Sequence, residues 1–62
     1  MRLITDTELA RRTDVELAVL FQMTAQALAV TAPGTDARAR VIASLQNIGR
    51  ARVQRHYGHL AP

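Results

Sequence analysis

The feature that most constrains the fold of this chain is a Thr-Asp dipeptide that occurs three times, at residues 5–6, 13–14 and 35–36. Each copy precedes a segment whose apolar residues recur at helical spacing. A threonine hydroxyl can accept a hydrogen bond from a free N–H in the first turn of a helix, and an aspartate there suits the helix dipole. Glu8 and Glu16 follow the first two threonines by three residues, which completes the sequence of a capping box. The pattern therefore predicts three helices.

The first two helices are predicted over about residues 6–12 and 14–31. Ile4 and Leu9 are placed to form a hydrophobic staple across the first cap. In the second helix one face contains Leu17, Leu20, Phe21, Thr24, Leu28 and Thr31, and a neighbouring stripe contains Val19, Met23, Ala27 and Val30. An apolar arc this broad predicts that the second helix is the central, most buried element or carries an oligomer contact.

The third helix is predicted over about residues 36–57, because Pro33-Gly34 ends the second helix and Thr35 caps the next one. Its apolar face is Val41, Ile42, Leu45 and Ile48, with Val53 as a further candidate, whereas Arg40, Ser44, Asn47 and Arg55 are expected to face elsewhere. Gly49 either permits close approach to the facing helix or marks a weak point. Gly58 is expected to end the helix, which leaves residues 58–62 as a tail.

Together these elements predict one all-α domain over residues 1–62, with a short N-terminal helix packed on an antiparallel two-helix hairpin. We expect Leu3, Ile4 and Leu9 to lie across that hairpin. The sequence contains no cysteine, so disulfides are excluded and extra stability must come from tight packing or a partner chain. No apolar run has the length of a signal peptide or a membrane span, and we expect a cytoplasmic protein with no membrane association.

Charge is divided unevenly along the chain. All five acidic residues lie within the first 36 residues, and all eight basic residues are arginines, five of which follow Asp36. The segment Arg50, Arg52, Arg55, His56 and Tyr57 is the candidate partner-binding site. Arginine binds phosphates and carboxylates through paired hydrogen bonds. Three interpretations stay open: an acidic protein partner, a nucleic acid, or a solvated helix end that complements the helix dipole.

Catalytic and metal-binding chemistry finds little support in the sequence. The carboxylate pairs Asp6/Glu8 and Asp14/Glu16 occupy first turns, where capping explains them. Ser44 is the only serine, and it has no histidine near it in sequence. His56 and His59 share the i, i+3 spacing of half a metal site, but two ligands do not complete one. We therefore expect no enzymatic activity, no cofactor and no metal.

Three segments carry a resemblance to a group of short uncharacterised proteins encoded on proteobacterial conjugative plasmids and integrative elements. They are Leu3-Ile4-Thr5-Asp6-x-Glu8-Leu9, Ala27-Leu28-Ala29-x-Thr31-Ala32-Pro33-Gly34-Thr35 and Ala43-Ser44-Leu45-Gln46-Asn47-Ile48. The likeness spans about Leu3 to Arg52. Gly49 departs from it, since a helix-forming residue is expected there, and this implies a looser third helix. The resemblance implies a mobile-element accessory protein and assigns no binding residues.

The first functional hypothesis is a non-enzymatic protein that binds a larger protein and modulates or inhibits it, for example as an antagonist of a host defence system. The alternative is a small nucleic-acid-binding factor that uses its arginine-rich third helix. A homodimer that buries the spare face of the second helix is a third hypothesis.

Overall fold

The computed structural model describes the backbone of residues 2–60 and the side chains of residues 2–57. This part of the chain contains no strand and folds into α1 (Asp6–Leu9), α2 (Asp14–Val30) and α3 (Asp36–Leu60). Helices α2 and α3 pack against each other as an antiparallel hairpin, and α1 packs on α3. The molecule is a rod of 43 × 16 × 16 Å, because α3 runs along its whole length. The predicted all-α three-helix mini-bundle is confirmed.

Threonine caps all three helix starts, but only one cap is a complete capping box. The Thr13 hydroxyl accepts from the Glu16 N–H, and the Glu16 carboxylate accepts from the Thr13 N–H at 3.0 Å. At the first helix, Thr5 accepts from the Glu8 N–H, while the Glu8 carboxylate instead binds Arg2. Thr35 accepts from the N–H of Arg38. The dipeptide thus identified all three helix starts correctly.

Two of the predicted helix ends differ from the structure. Helix α1 stops at Leu9, and residues 10–12 continue as a hydrogen-bonded turn in which the Arg12 N–H donates to the Leu9 carbonyl. The prediction that Gly58 ends the third helix is wrong, because α3 continues through it to Leu60. Glycine ends a helix when its backbone turns left-handed, and Gly58 keeps the helical conformation. Residues 61–62 of the predicted tail lie outside the described residues.

The turn between α2 and α3 is organised by Gly34 and Arg38. Gly34 has a φ of +78°, a left-handed conformation that side chains disfavour. The Arg38 guanidinium donates to the carbonyls of Leu28 and Thr31, each at 3.2 Å. These carbonyls lie at the C-terminal end of α2, where helical N–H partners are few, and the Leu28 carbonyl also accepts from the Thr31 N–H. The turn is short, so the two helices return antiparallel.

The core is small and lies where the three helices meet. Its fully packed cluster is Ile4, Leu9, Leu17 and Ile48, with Leu20, Phe21 and Ala51 partly buried against it. Ile4 and Leu9 enter this cluster together, as the predicted staple requires. Leu3 is exposed, contrary to the expectation that it would lie across the hairpin.

The predicted orientation of Ser44 and Asn47 is wrong. Ser44 is fully buried, and its hydroxyl accepts from the Ile4 N–H at 3.0 Å. The Asn47 side-chain amide donates to the Ile4 carbonyl at 2.8 Å. Both polar groups of one residue in the N-terminal segment are therefore satisfied by α3. The partners lie 40 and 43 positions away in sequence, and helical periodicity could not reveal them.

Of the two alternatives for α2, the central and most buried helix is wrong, because α3 is the helix that packs against both others. The oligomer contact stays a prediction. The predicted inner face of α2 does pack inward, with Leu17 and Thr24 buried. The second stripe does not, since Val19, Met23 and Val30 are exposed, and Val15 is exposed beside them. Helix α1 packs on α3 and leaves this side of α2 uncovered. No described helix is long and apolar enough to cross a membrane.

Candidate interaction surface

The three arginines of the predicted site do not point to one place. Arg50 lies 3.5 Å from the Asp6 carboxylate and also donates to the Asn47 side chain. Arg55 lies 3.3 Å from the Asp14 carboxylate and donates to the backbone carbonyl of Arg12. Two of the three guanidinium groups are thus engaged by the N-terminal half of the same chain.

Arg52 faces a different side of α3, where it lies over the ring of Phe21. The guanidinium carbon is 5.4 Å from the ring centroid, within the range of a cation–π contact. Arg52 forms no ion pair with any described residue. Its contact with α2 places a positive charge against a partly buried aromatic ring while leaving its hydrogen-bond donors available.

This side of the hairpin forms a shallow, largely apolar groove, which we call the open groove. It has a volume of about 600 Å³ and is lined by Phe21, Gly49, Arg52, Val53, His56 and Tyr57. The side chains of Val53 and Tyr57 are more than half exposed. Helix α1 and the N-terminal segment cover the opposite side of α3, so the hairpin has one covered groove and one open groove.

Gly49 lies in the open groove, and no contact within the chain requires a glycine there. A Cβ at this position would meet no atom within 4 Å, and the backbone is helical. The alternative that Gly49 permits close approach to the facing helix is therefore excluded for α2. A glycine inside a helix costs ~1 kcal/mol relative to alanine. Because Gly49 has no side chain, it leaves the α3 backbone accessible at the bottom of a groove that faces outward.

His56 and Tyr57 lie at the open end of the groove. Their rings meet edge to face, with centroids 5.7 Å apart. The proposed half-site with His59 lies partly outside the described side chains. Among those that are described, no group of three or more His, Asp or Glu residues could hold a metal ion.

The carboxylates of the first two capping segments have structural partners. The hydrogen bond from Arg2 holds the pKa of Glu8 below its usual value. Hydrogen bonds from the backbone and hydroxyl of Thr13, and then from Arg12, lower the pKa of Glu16. Asp6 and Asp14 lie beside Arg50 and Arg55. Four of the five carboxylates therefore contribute to capping or ion pairs.

Of the residues that line the open groove, the sequence analysis named Arg52, His56 and Tyr57 as candidates but not the other three. Phe21 was placed on the inner face of the second helix and Val53 on the apolar face of the third, and Gly49 was left as either a close approach or a weak point. Phe21 and Arg52 are 31 positions apart in sequence, and only the hairpin brings them together. No family model, curated protein or solved structure matches this chain.

Proposed function

We propose that the protein is a non-enzymatic binding module that holds an amphipathic helix of a larger protein in the open groove and thereby modulates that protein. The observation that carries the proposal is Gly49 in a groove that is open, apolar and bordered by Arg52. An amphipathic helix binds by laying its apolar side chains into such a groove. Gly49 has no side chain, so the backbone of the bound helix can approach α3 closely at this position.

The charges of the groove suggest the chemistry of the bound helix. Arg52 and His56 line the groove, and none of its lining residues is acidic. Arg52 has no carboxylate partner among the described residues, in contrast with Arg50 and Arg55. A helix with apolar residues at i, i+3 and i+4 and a carboxylate at its edge would complement both the walls and the charge.

A non-enzymatic role agrees with the use that the fold makes of its reactive side chains. Ser44 is buried and binds the backbone of Ile4. The Glu8 carboxylate binds Arg2, and the Glu16 carboxylate binds Arg12 and accepts from the Thr13 N–H at the helix cap. The resemblance to proteins of conjugative elements supplies the setting for the proposal: a mobile-element accessory protein in the bacterial cytoplasm, acting as an inhibitor of a host protein such as a defence effector.

The alternative of nucleic-acid binding through Arg50, Arg52 and Arg55 has less support. Phosphate binding by all three would require Arg50 and Arg55 to leave their carboxylate partners. It also predicts an affinity that falls steeply with salt, because phosphate contacts release counterions. The contact that we propose depends on apolar burial and should change little between 50 and 200 mM salt.

Site-specific photo-crosslinking tests the proposal. A photoreactive phenylalanine analogue replaces Tyr57 in the open groove or, as the control, Gln54 on the side that faces α1. In a proteobacterial lysate treated with nuclease, we expect a discrete protein adduct from position 57 that is absent from position 54. Val53→Glu should abolish that adduct without reducing helicity. Equal adducts at both positions, or an adduct with nucleic acid in an untreated lysate, would overturn the proposal.

A further inference from the structure

Helix α2 has a second exposed surface, on the side turned away from α3. We call it the outer face; it consists of Val15, Val19, Gln22, Met23, Gln26 and Val30. Its four apolar side chains are 74%, 51%, 60% and 86% exposed, for Val15, Val19, Met23 and Val30 respectively. Gln22 and Gln26 between them are exposed as well. At 100° per residue, all six positions lie within about 100° around the helix.

The outer face lacks what a solvated helix face normally carries. No charged residue occurs between Leu17 and Thr35, so the exposed side of α2 is neutral over most of its length. A surface helix usually places charged residues opposite its buried stripe. Contiguous exposed apolar surface of this kind is typical of an interface.

The chain also has a physical need for further burial. Only five apolar side chains are classed as buried in the described structure. A domain of about 60 residues is marginal in stability, and oligomerisation is one of the usual remedies where disulfides are absent. The fold has only two long helices, so little more apolar surface can be buried within the chain itself.

We infer that the outer face binds a second copy of this chain, with the two α2 helices antiparallel about a two-fold axis between Gln22 and Met23. This axis places Val15 of one copy opposite Val30 of the other and Val19 opposite Gln26. Residues 15, 19, 22 and 26 are separated by four, three and four positions. Side chains with this spacing line the contact between two helices in a coiled coil. Both ends of the contact are then apolar, and its centre holds Gln22 and Met23 of each copy.

The properties of the face favour a second copy over a different protein. From Leu17 to Val30 the face offers no charge to select a charged partner, and its apolar residues are complementary to those of a second copy. The Arg12–Glu16 ion pair borders the face beside Val15 and Val19. A two-fold interface uses the same patch on both subunits. An antiparallel arrangement also sets the two helix dipoles in opposite directions, which is the favourable orientation for neighbouring helices.

The outer face is long enough for a helix–helix contact between two copies. The outer face extends over the 17-residue length of α2, about 25 Å at 1.5 Å per residue. The open groove lies on a different side of the hairpin, so self-association leaves it free.

Sedimentation equilibrium of the full chain between 1 and 300 μM, with helicity checked by circular dichroism, tests the inference. We expect a monomer–dimer equilibrium for the wild type. Val19→Glu should weaken it about 100-fold or more, because each dimer would bury two unpaired charges. Val53→Glu, an equivalent change on the open groove, should leave the dimer unchanged. A monomer at 300 μM, or equal effects of the two substitutions, would overturn the inference.

Cysteine crosslinking tests the orientation, since the natural chain contains no cysteine. In the proposed dimer, Gln22→Cys lies near the axis and should form a disulfide with its own copy. Val15→Cys lies about 22 Å from its counterpart, beyond the ~7 Å limit for Cα atoms of a disulfide, and should crosslink only when mixed with Val30→Cys. Efficient self-crosslinking of Val15→Cys would show a parallel pair and overturn the proposed arrangement.

Discussion

At the scale of single residues, the least expected contact is the one that Ser44 and Asn47 make with Ile4. The two side chains stand three residues apart on α3 and bind the N–H and the carbonyl of the same residue. This contact fixes the position of Ile4, whose side chain belongs to the core cluster. The N-terminal segment is therefore attached to α3 by hydrogen bonds between its backbone and two side chains of α3, as well as by apolar packing.

Replacing Ser44 with alanine should lower the free energy of unfolding by about 1–3 kcal/mol, because the buried Ile4 N–H loses its acceptor. The matched control is Gln46→Ala on the exposed side of α3, where a change within about 0.5 kcal/mol is expected. Urea denaturation measures both variants, and amide exchange at Ile4 should accelerate only in Ser44→Ala. Equal stability of the two variants would contradict the buried hydrogen bond.

The capping carboxylates make stability depend on pH. The pKa of Glu16 is lowered in the folded protein by hydrogen bonds from Thr13, so its contribution is present above the unfolded pKa and is lost as pH falls through the folded value. We expect the Tm to fall between about pH 5 and pH 3. Glu16→Gln keeps an acceptor for the Thr13 N–H and should flatten this fall. Glu8→Gln, which removes the charge paired with Arg2, should flatten it independently.

The measurement is a series of thermal melts from pH 7 to pH 3 on the wild type, both single variants and the double variant. The double variant should depend least on pH. An unchanged slope in Glu16→Gln would show that its carboxylate contributes nothing in the charged form beyond what the amide supplies.

At the scale of secondary-structure elements, two glycines have opposite roles although neither has a neighbour within 4 Å of an added Cβ. Gly34 joins α2 to α3 with a φ of +78°, a conformation that costs other residues roughly 1–2 kcal/mol. Gly49 is helical, so alanine would be unstrained there. The fold requires the first glycine and does not require the second.

Gly34→Ala should therefore destabilise the protein by about 1 kcal/mol, and Gly49→Ala should stabilise it by about 0.5–1 kcal/mol. Denaturant midpoints under identical conditions give both changes in free energy. If the open groove holds a helix, Gly49→Ala should also weaken the position-57 photo-crosslink despite the gain in stability. A loss of stability in Gly49→Ala would show that the glycine serves the fold and would remove the main support for the proposed function.

At the scale of the whole molecule, the acidic and the basic parts of the sequence largely pair with each other within the fold. The antiparallel hairpin brings the acidic start of the chain beside the arginine-rich end of α3, where Arg50 meets Asp6 and Arg55 meets Asp14. Arg38 is engaged with the carbonyls at the end of α2. Exposed ion pairs contribute at most about 1 kcal/mol each, so they orient the elements more than they stabilise them.

Dimer formation through the outer face predicts that stability depends on protein concentration. The Tm of the wild type should rise between 5 and 500 μM chain, because mass action favours a dimer that only the folded chain can form. Val19→Glu should melt at the same temperature at both concentrations. A wild-type Tm that is independent of concentration would contradict self-association in this range.

The sequence by itself determined where the helices begin, because a threonine cap and the first turn that it serves lie within four residues of each other. It also determined the hairpin, since Pro33 and Gly34 break the helix and leave too few residues for any other return. The inner face of α2 followed from periodicity. These signals are local, and local signals are readable from one chain.

Only the tertiary structure decided which apolar stripe of α2 is covered, that Ser44 turns inward, and that Phe21 meets Arg52. Each of these depends on contacts between elements that are 20 to 40 residues apart in sequence, and on which side of α3 the helix α1 packs against. Periodicity states that a face is apolar, but it does not state what packs on it. The end of α3 was misjudged for a related reason, since Gly58 permits a left-handed stop without requiring one.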